Sequence, residues 1–433
     1  MLIQGWGRYP SVNAVVEEPR TISDTIAVLT NSGPLIGRGM GRSYGDSASS
    51  KQVISTRALN HLKSFDQETG LLHCSAGITL GELLELFTPR GWFLPVTPGT
   101  KFVTLGGAIA SDVHGKNHHL IGCFSEIVDS FRLLLASGEA LECSREQNAD
   151  LFFATCGGMG LTGLILDVCL RLKPITSAYI EQTTHKATNL VEVMDLFDSE
   201  QGATYSVAWI DCLAGDKNLG RSLLMTGEHS TEGGLELPRN RPINVPIDLP
   251  SALLNRYSVQ AFNTLYYNRV RTLHNCERVT YESFFYPLDR ILNWNRLYGK
   301  NGFVQYQFVI PKDAGRRGMH DILKRIASSH RGSFLAVLKA FGRENPNLLS
   351  FPMEGYTLAL DFKISTGLFE LLNELDAMVL DHGGRIYLAK DARMSEATFK
   401  RSYNRWEDFQ TVRSQYGAIN KFTSLQSHRL GLE

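Results

Sequence analysis

The chain of 433 residues is longer than one hydrophobic core usually organises, which points to two domains. Lys and Arg number 44 and so do Asp and Glu, so the formal net charge is zero. That balance excludes a sequence-independent nucleic-acid binder and a polybasic membrane anchor, while 43% hydrophobic and 20% charged residues exclude a disordered chain.

Met1 to Trp6 shows no basic region leading into an apolar run, and the apolar stretch Leu161 to Leu170 is interrupted by Asp167. The expectation is a soluble, cytoplasmic protein without a signal peptide. Seven cysteines with no C-x-x-C pair argue against a disulfide framework or a structural zinc site and suit small hydrophobes in a reducing compartment.

In chain order, Thr21 to Thr30 reads as a helix closed by Gly33, and Leu35-Ile36, Val53 to Thr56 and Leu71 to Ser75 as short strands. Thr79-Leu80-Gly81-Glu82 is a capping box opening a helix through Phe87, and Phe131 to Ala136 with Ala140 to Cys143 reads as a hairpin. This mixture is α+β, without the regular strand-helix-strand spacing of a doubly wound sheet. Gly227 to Val259 is rich in Glu, Pro, Asn and Ser with little periodicity, and reads as a loop, either a lid or disordered; no internal repeat is evident.

From Gly302 the pattern becomes regular. Phe303 to Ile310, Phe334 to Phe341, Tyr356 to Phe362 and Arg385 to Lys390 read as strands, with helices at Ala314 to Ser328 and Leu368 to Leu380. The order β-α-β-β-α-β is that of a ferredoxin-like unit, whose helices cover one sheet face. Alternation puts Val304, Tyr306, Phe308 and Ile310 on the helix side and Gln305 and Gln307 opposite, with Thr357, Ala359 and Asp361 on that same open face. Two amides on the free face suit either a polar binding surface or a solvated one.

Three glycine clusters carry the chemistry. The densest is Gly37-Arg38-Gly39-Met40-Gly41-Arg42-Ser43-Tyr44-Gly45-Asp46. Such a loop can turn successive N–H groups toward one centre as an anion nest, but it lacks the G-x-G-x-x-G spacing and the following helix of a dinucleotide fingerprint. The second runs from Pro98-Gly99-Thr100 through Thr104-Leu105-Gly106-Gly107 to Ser111-Asp112-Val113-His114-Gly115-Lys116-Asn117, and the third is Gly157 to Gly163, with Gly160 inside it. Three separated loops suit a large, flat, phosphate-bearing cofactor. Gly41-Arg42-Ser43-Tyr44-Gly45 also matches a nucleophile elbow, but polar residues follow it where that motif needs a helix. His114, His118 and His119 are spaced as H-x-x-x-H without the glutamate or the helix of a zinc protease, so no metal is expected.

The ordered motifs GRGMGRSYGD, PGTKFVTLGGAIASDVHGKNHH, TCGGMGLTGLI, QYQFVIP and YLAKDAR resemble, nearly end to end, the flavoprotein oxidases of decaprenylphosphoryl-β-D-ribose 2′-epimerisation. These belong to the vanillyl-alcohol-oxidase-type FAD superfamily. The resemblance implies an FAD domain at 1–177, joined by the returning segment 385–433, and a substrate domain at 178–384, with the open sheet face over the flavin ring. It implies that Gly37 to Ser47 hold the pyrophosphate, and that Gly99, Thr100, Thr104 to Gly107, Ser111 to Gly115, Asn117, Gly160, Ile165 and Tyr387 border the FAD. Relatives that bind FAD covalently do so through a histidine in the first loop; Tyr44 stands there, so the FAD is expected to be non-covalent. The implied catalytic groups are Lys390, His114 and Tyr44, and Gln305, Gln307, Lys339, Thr357, Ala359 and Trp209 are the implied substrate contacts.

The implied reaction oxidises the ribose 2′-hydroxyl of a polyprenyl-phosphate sugar to a ketone by hydride transfer to flavin N5. A separate nicotinamide-dependent keto-reductase would complete the epimerisation to an arabinose donor, with peripheral membrane contact through the lipid substrate. Alternatives are an alditol or sugar-alcohol oxidase with a soluble substrate and a non-enzymatic isoprenoid-phosphate carrier; a lipid substrate predicts an apolar groove near Leu253 to Tyr267. Mycobacterial members carry cysteine and asparagine where this chain has Ala359 and Thr357. The chain is therefore expected to show no mass shift with nitroaromatic compounds that capture that thiol.

Overall fold

The computed structural model describes residues 1–236, 242–250 and 253–433. Before residue 172, short apolar runs bounded by turns form the two larger sheets of the N-terminal part. Val15–Glu17 (β1), Ile36–Arg38 (β2) and Gln52–Ser55 (β3) pair in parallel in the order β1-β3-β2, with Ile22–Asn31 (α1) crossing between β1 and β2. Thr21 caps α1 by accepting from the Asp24 N–H. The sequence does not announce this parallel sheet, because strands of three or four residues are too short to leave a periodic signature.

Leu62–Phe65 (β4), Leu71–Ser75 (β5), Val128–Leu134 (β6), Ala140–Ser144 (β7) and Leu164–Arg171 (β8) form an antiparallel sheet ordered β7-β6-β8-β5-β4. The β6–β7 hairpin falls where alternation placed it. Leu80–Phe87 (α2) opens with both halves of the Thr79–Glu82 capping box and buries Leu80, Leu83, Leu84 and Phe87 on this sheet's core. Leu105–Ala110 (α3) follows, with Thr104 Oγ1 accepting from the Gly107 N–H.

The rest of the chain builds one antiparallel sheet of eight strands. They are Tyr179–Ala187 (β9), Tyr205–Ile210 (β10), Ser222–His229 (β11), His274–Thr280 (β12), Phe303–Pro311 (β13), Ala336–Phe341 (β14), Gly355–Lys363 (β15) and Arg385–Ile386 (β16). Their order is β12-β9-β11-β10-β14-β15-β13-β16. The four helices associated with it are Leu190–Ser199 (α4), Arg256–Asn268 (α5), Lys312–Ser328 (α6) and Leu368–Asp381 (α7).

The second half of this sheet is the expected ferredoxin-like unit, β13-α6-β14-β15-α7-β16. The first half, β9-α4-β10-β11-α5-β12, repeats the same strand order, and the two units join where β10 pairs with β14. This corrects the expectation of no internal repeat: the duplication is one of topology and leaves no repeated motif in the sequence. Within the apparent loop Gly227 to Val259, β11 extends to His229, Ile243–Asn244 pairs with Ile291–Leu292, and α5 begins at Arg256. Residues 237–241 and 251–252 of that stretch lie outside the described residues.

Side-chain alternation explains the layers. Val304, Tyr306, Phe308, Leu358 and Leu360 face α6 and α7, and Ala208, Ile210 and Leu224 face α4, in one continuous core. Helix α5 breaks the symmetry. Its Tyr266 and Tyr267 pack with Trp209 and Leu223 on the opposite face, and Asn263 Nδ2 donates to Asp211 Oδ1 at 2.7 Å.

The chain end returns to the first sheet. Leu35 bridges Phe422, and Lys421 Nζ donates to Leu29 O at 2.7 Å. The closing helix Leu425–Arg429 (α8) brings Arg429 against Asp46 in the first glycine loop, at 2.7 Å. The expected last strand is shorter than alternation suggested. Pairing stops at Ile386, and Lys390 sits on a turn in which its N–H donates to Tyr387 O at 3.1 Å.

Candidate active site

The three glycine loops and the open face of the eight-stranded sheet enclose one cavity of about 560 Å³. The first loop lines it from Gly37 through Tyr44, with Ser47. The four consecutive N–H groups of Met40 to Ser43 find no acceptor among the described residues, so they remain available to an anion. Gly39 lets this loop touch the second: a Cβ there would lie 2.2 Å from Thr104 Oγ1, the atom that caps α3. Gly99, Thr100, Thr104, Gly106, Gly107, Ser111, Val113, His114 and Gly115 line the next wall, and Met159, Gly160, Gly163 and Ile165 the third. At Gly99 a Cβ would meet no atom within 4 Å, so space remains beside the backbone. Asp289 fastens the second loop by accepting from Thr100 Oγ1 at 2.7 Å and from the Lys101 N–H at 2.8 Å.

The floor is polar. Gln305, Gln307, Lys339, Thr357 and Ala359 line it with Trp209, Tyr387 and Lys390. Gln307 and Thr357 are 4% and 1% exposed, which decides against a solvated sheet face. Gln307 Nε2 stands 3.2 Å from His114 Nε2 and 3.3 Å from Thr357 Oγ1. The His114 ring packs edge-on to Phe341 at 4.6 Å, and burial, followed by the Lys339 charge, holds its pKa well below the usual histidine value, so it stays neutral. The Lys390 ammonium lies 4.1 Å over the Tyr44 ring. Burial pulls Lys390 down to about 7, opposed by the Asp361 carboxylate and reinforced by Lys339, itself lowered by burial to about 8. Both protonation states of Lys390 are therefore populated near neutrality.

Five residues expected at the cofactor stand behind the lining instead. Gly45 is pressed against the C-terminal segment, where a Cβ would fall 1.8 Å from the Asp391 carbonyl oxygen. Asp46 pairs with Arg429, and Leu105 is fully buried in the core. Asp112 accepts from Asn345 and Asn347 at 2.8 Å and from Ser350 at 2.6 Å, and Asn117 Nδ2 donates to Pro95 O at 2.8 Å. Each belongs to a glycine-rich motif but points to its rear, where it fixes the loop. The three histidines diverge: His118 Nδ1 accepts from the Gly342 N–H, while His119 Nε2 meets Ala203 O.

Other lining groups were not foreseen. Lys116 donates to Phe284 O and lies 4.1 Å from that ring, and burial, reinforced by Lys339, lowers it to about 7. It sits two residues after His114, so the HGKNHH run contained it. Tyr266 of α5 and Arg269, just after it, also line the cavity, and no sequence signal placed that helix on this face.

Residues 10–144 match the FAD binding domain family. A protein named decaprenylphosphoryl-β-D-ribose oxidase, from Mycolicibacterium smegmatis, is 37% identical over 99% of this chain and 97% of its own length. The chain belongs to the decaprenylphosphoryl-β-D-ribose oxidase family. It is an FAD-dependent oxidoreductase of the vanillyl-alcohol-oxidase type. More distant likeness reaches bovine L-gulonolactone oxidase, 31% identical over 45% of each chain, and human Δ(24)-sterol reductase, 33% identical over 22% of this chain and 19% of that one. The unpaired amides of Met40 to Ser43 and the room beside Gly99 fit the FAD that this family holds. Among the described residues no helix is long and apolar enough to cross a membrane.

Proposed function

We propose that this chain oxidises the 2′-hydroxyl of a polyprenylphosphoryl-β-D-ribose to the 2′-keto sugar. The observation that carries the reading is a floor of two amides and two half-buried lysines, Gln305, Gln307, Lys339 and Lys390, in the same cavity as the anion nest. Residues 1–177 with 385–433 form the FAD side and 178–384 the substrate side. Met40 to Ser43 take the pyrophosphate, and Thr104, Gly106, Gly107, Ile165 and Tyr387 border the rest of a non-covalent FAD, which supplies the acceptor for the hydride. Acid precipitation is expected to leave all the flavin in the supernatant; yellow colour in the pellet overturns the non-covalent part.

The amides of Gln305 and Gln307 orient the sugar hydroxyls, and Lys339 offers a cation to its phosphate. Neutral Lys390 accepts the hydroxyl proton as the carbonyl forms, and the Tyr44 ring then faces the resulting ammonium. Neutral His114 holds Gln307 in register rather than carrying charge. The test is anaerobic bleaching of the flavin by a panel of sugars. Prenylphosphoryl ribose is expected to bleach it and free alditols are not; the reverse result would establish a soluble-substrate oxidase.

A lipid substrate is matched by the outer face of α5. Tyr257 and Leu265 are 77% and 74% exposed two turns apart, Leu253 precedes them, and α5 carries no acidic residue but is flanked by Arg269 and Arg271. Since Tyr266 of this helix lines the cavity, this face is assigned to an anionic bilayer that delivers the substrate. The protein is expected to sediment with phosphatidylglycerol vesicles and the double variant Tyr257→Ser, Leu265→Ser to remain in solution; equal sedimentation of both refutes the placement. A ketone product must next meet a nicotinamide-dependent keto-reductase, the pathway partner in this reading.

A further inference from the structure

Asp361 is the next residue after Thr357 and Ala359 on the open face of β15, and it pairs in register with Gln305 of β13. It lies below the cavity floor, 1% exposed. Its Oδ1 accepts from Gln305 Nε2 at 2.6 Å and its Oδ2 from the Tyr298 hydroxyl at 3.3 Å. Both donors are neutral. A buried carboxylate held only by neutral donors is costly unless a cation answers it nearby, and the floor above carries two lysines. The donor that Gln305 gives to Asp361 also fixes its carboxamide.

We propose that Asp361 is a positioning residue that acts through its two neighbours, locking the Gln305 amide for the sugar and setting the proton affinity of Lys390. Burial raises Asp361 to about 7, while Gln305, Lys390 and Tyr298 hold it lower; its ionised form raises the affinity of Lys390 for a proton, against burial and the Lys339 charge, so the two groups exchange charge over the same pH range. The groups facing this pair are Lys339 on β14, Tyr44 on the first glycine loop, Tyr298 on the turn before β13, and neutral His114. Of these only Lys339 carries a charge at neutral pH: burial raises both tyrosine hydroxyls well above their ordinary value. Asp361 is thus the one carboxylate among the named groups. Through it the chain makes Lys390 a stronger base than burial alone would leave, which suits the role given to Lys390 above; the inference rests on that role.

The test titrates Lys390 directly in the holoenzyme, by its rate of acetylation with acetic anhydride against pH, read by mass spectrometry of the peptide. No substrate is needed, so the outcome is separate from the choice of sugar. The wild-type midpoint is expected below the ordinary lysine range. Asp361→Asn keeps the shape and removes the charge, and should move the midpoint to lower pH by about one unit, while Asp361→Glu stays with the wild type. The acid limb of substrate-driven flavin reduction should shift by the same amount, with kcat lowered and KM little changed. If the Asn variant does not fold with FAD, Tyr298→Phe, which removes one donor from the carboxylate, should shift the midpoint in the same direction by less. A wild-type midpoint in the ordinary range, or one unmoved by the charge removal, overturns the proposal.

Discussion

Replacing Lys390 by Ala is expected to slow substrate-driven flavin reduction by ~10²- to 10³-fold while the protein still purifies with FAD. Among the described residues Lys390 makes no ion pair within 4 Å, and its ammonium touches the Tyr44 ring rather than the N–H nest of Met40 to Ser43. Its loss therefore removes a proton acceptor, not a structural bond. The sign of the pH dependence follows from burial. A lysine held near 7 is increasingly neutral as pH rises through that value, so the wild-type rate should climb across neutrality toward a plateau. In Lys390→Ala that limb should vanish. A variant that retained the limb, or one that lost its flavin together with its rate, would remove Lys390 from the chemistry.

The second large effect concerns stability. Arg429 on α8 donates to Asp46 Oδ1 at 2.7 Å and to Asp391 Oδ2 at 2.8 Å, and both carboxylates have side chains under 5% exposed. Arg429→Met would leave buried Asp46 without its cation and Asp391 with Arg393 as its remaining one, and should cost about 3–5 kcal/mol. Because Asp46 closes the first glycine loop and Asp391 follows Lys390, FAD should also dissociate more readily. Asp391 is held below the usual carboxylate range by Arg429 and Arg393 against burial. A depressed carboxylate contributes stability above its unfolded value that is lost as pH falls through the folded one. The gap between wild type and variant in urea midpoint should therefore be full at neutral pH and narrow in acid. Asp46 is raised by burial even beside Arg429; without that cation it would rise further, so its loss adds to the gap at neutral pH. Equal midpoints at pH 7 would show that Arg429 is not the clasp.

The parts legible in the sequence are those whose requirement is local. The Thr79–Glu82 box fixes α2 because both partners lie within one turn. The alternation of Gln305 and Gln307 against Tyr306 and Phe308 fixes a strand face because successive side chains point to opposite sides. It also placed Asp361 on the open face, although nothing local assigned it a partner. Within the glycine motifs, sequence does not separate the side of a loop that meets a ligand from the side that meets the protein. Gly39 and Gly45 read alike, yet one lines the cavity and the other abuts Asp391.

The sequence by itself determined the glycine loops, the second ferredoxin-like unit and the polar strand face, since each follows from backbone freedom or side-chain period over a few residues. Only the tertiary structure decided that α5 crosses to the cavity side, that Lys390 leaves the sheet on a turn, and that Arg429 clasps Asp46 from 383 residues away. Those outcomes depend on which surfaces and charges must be buried together, and no short stretch of chain contains both partners.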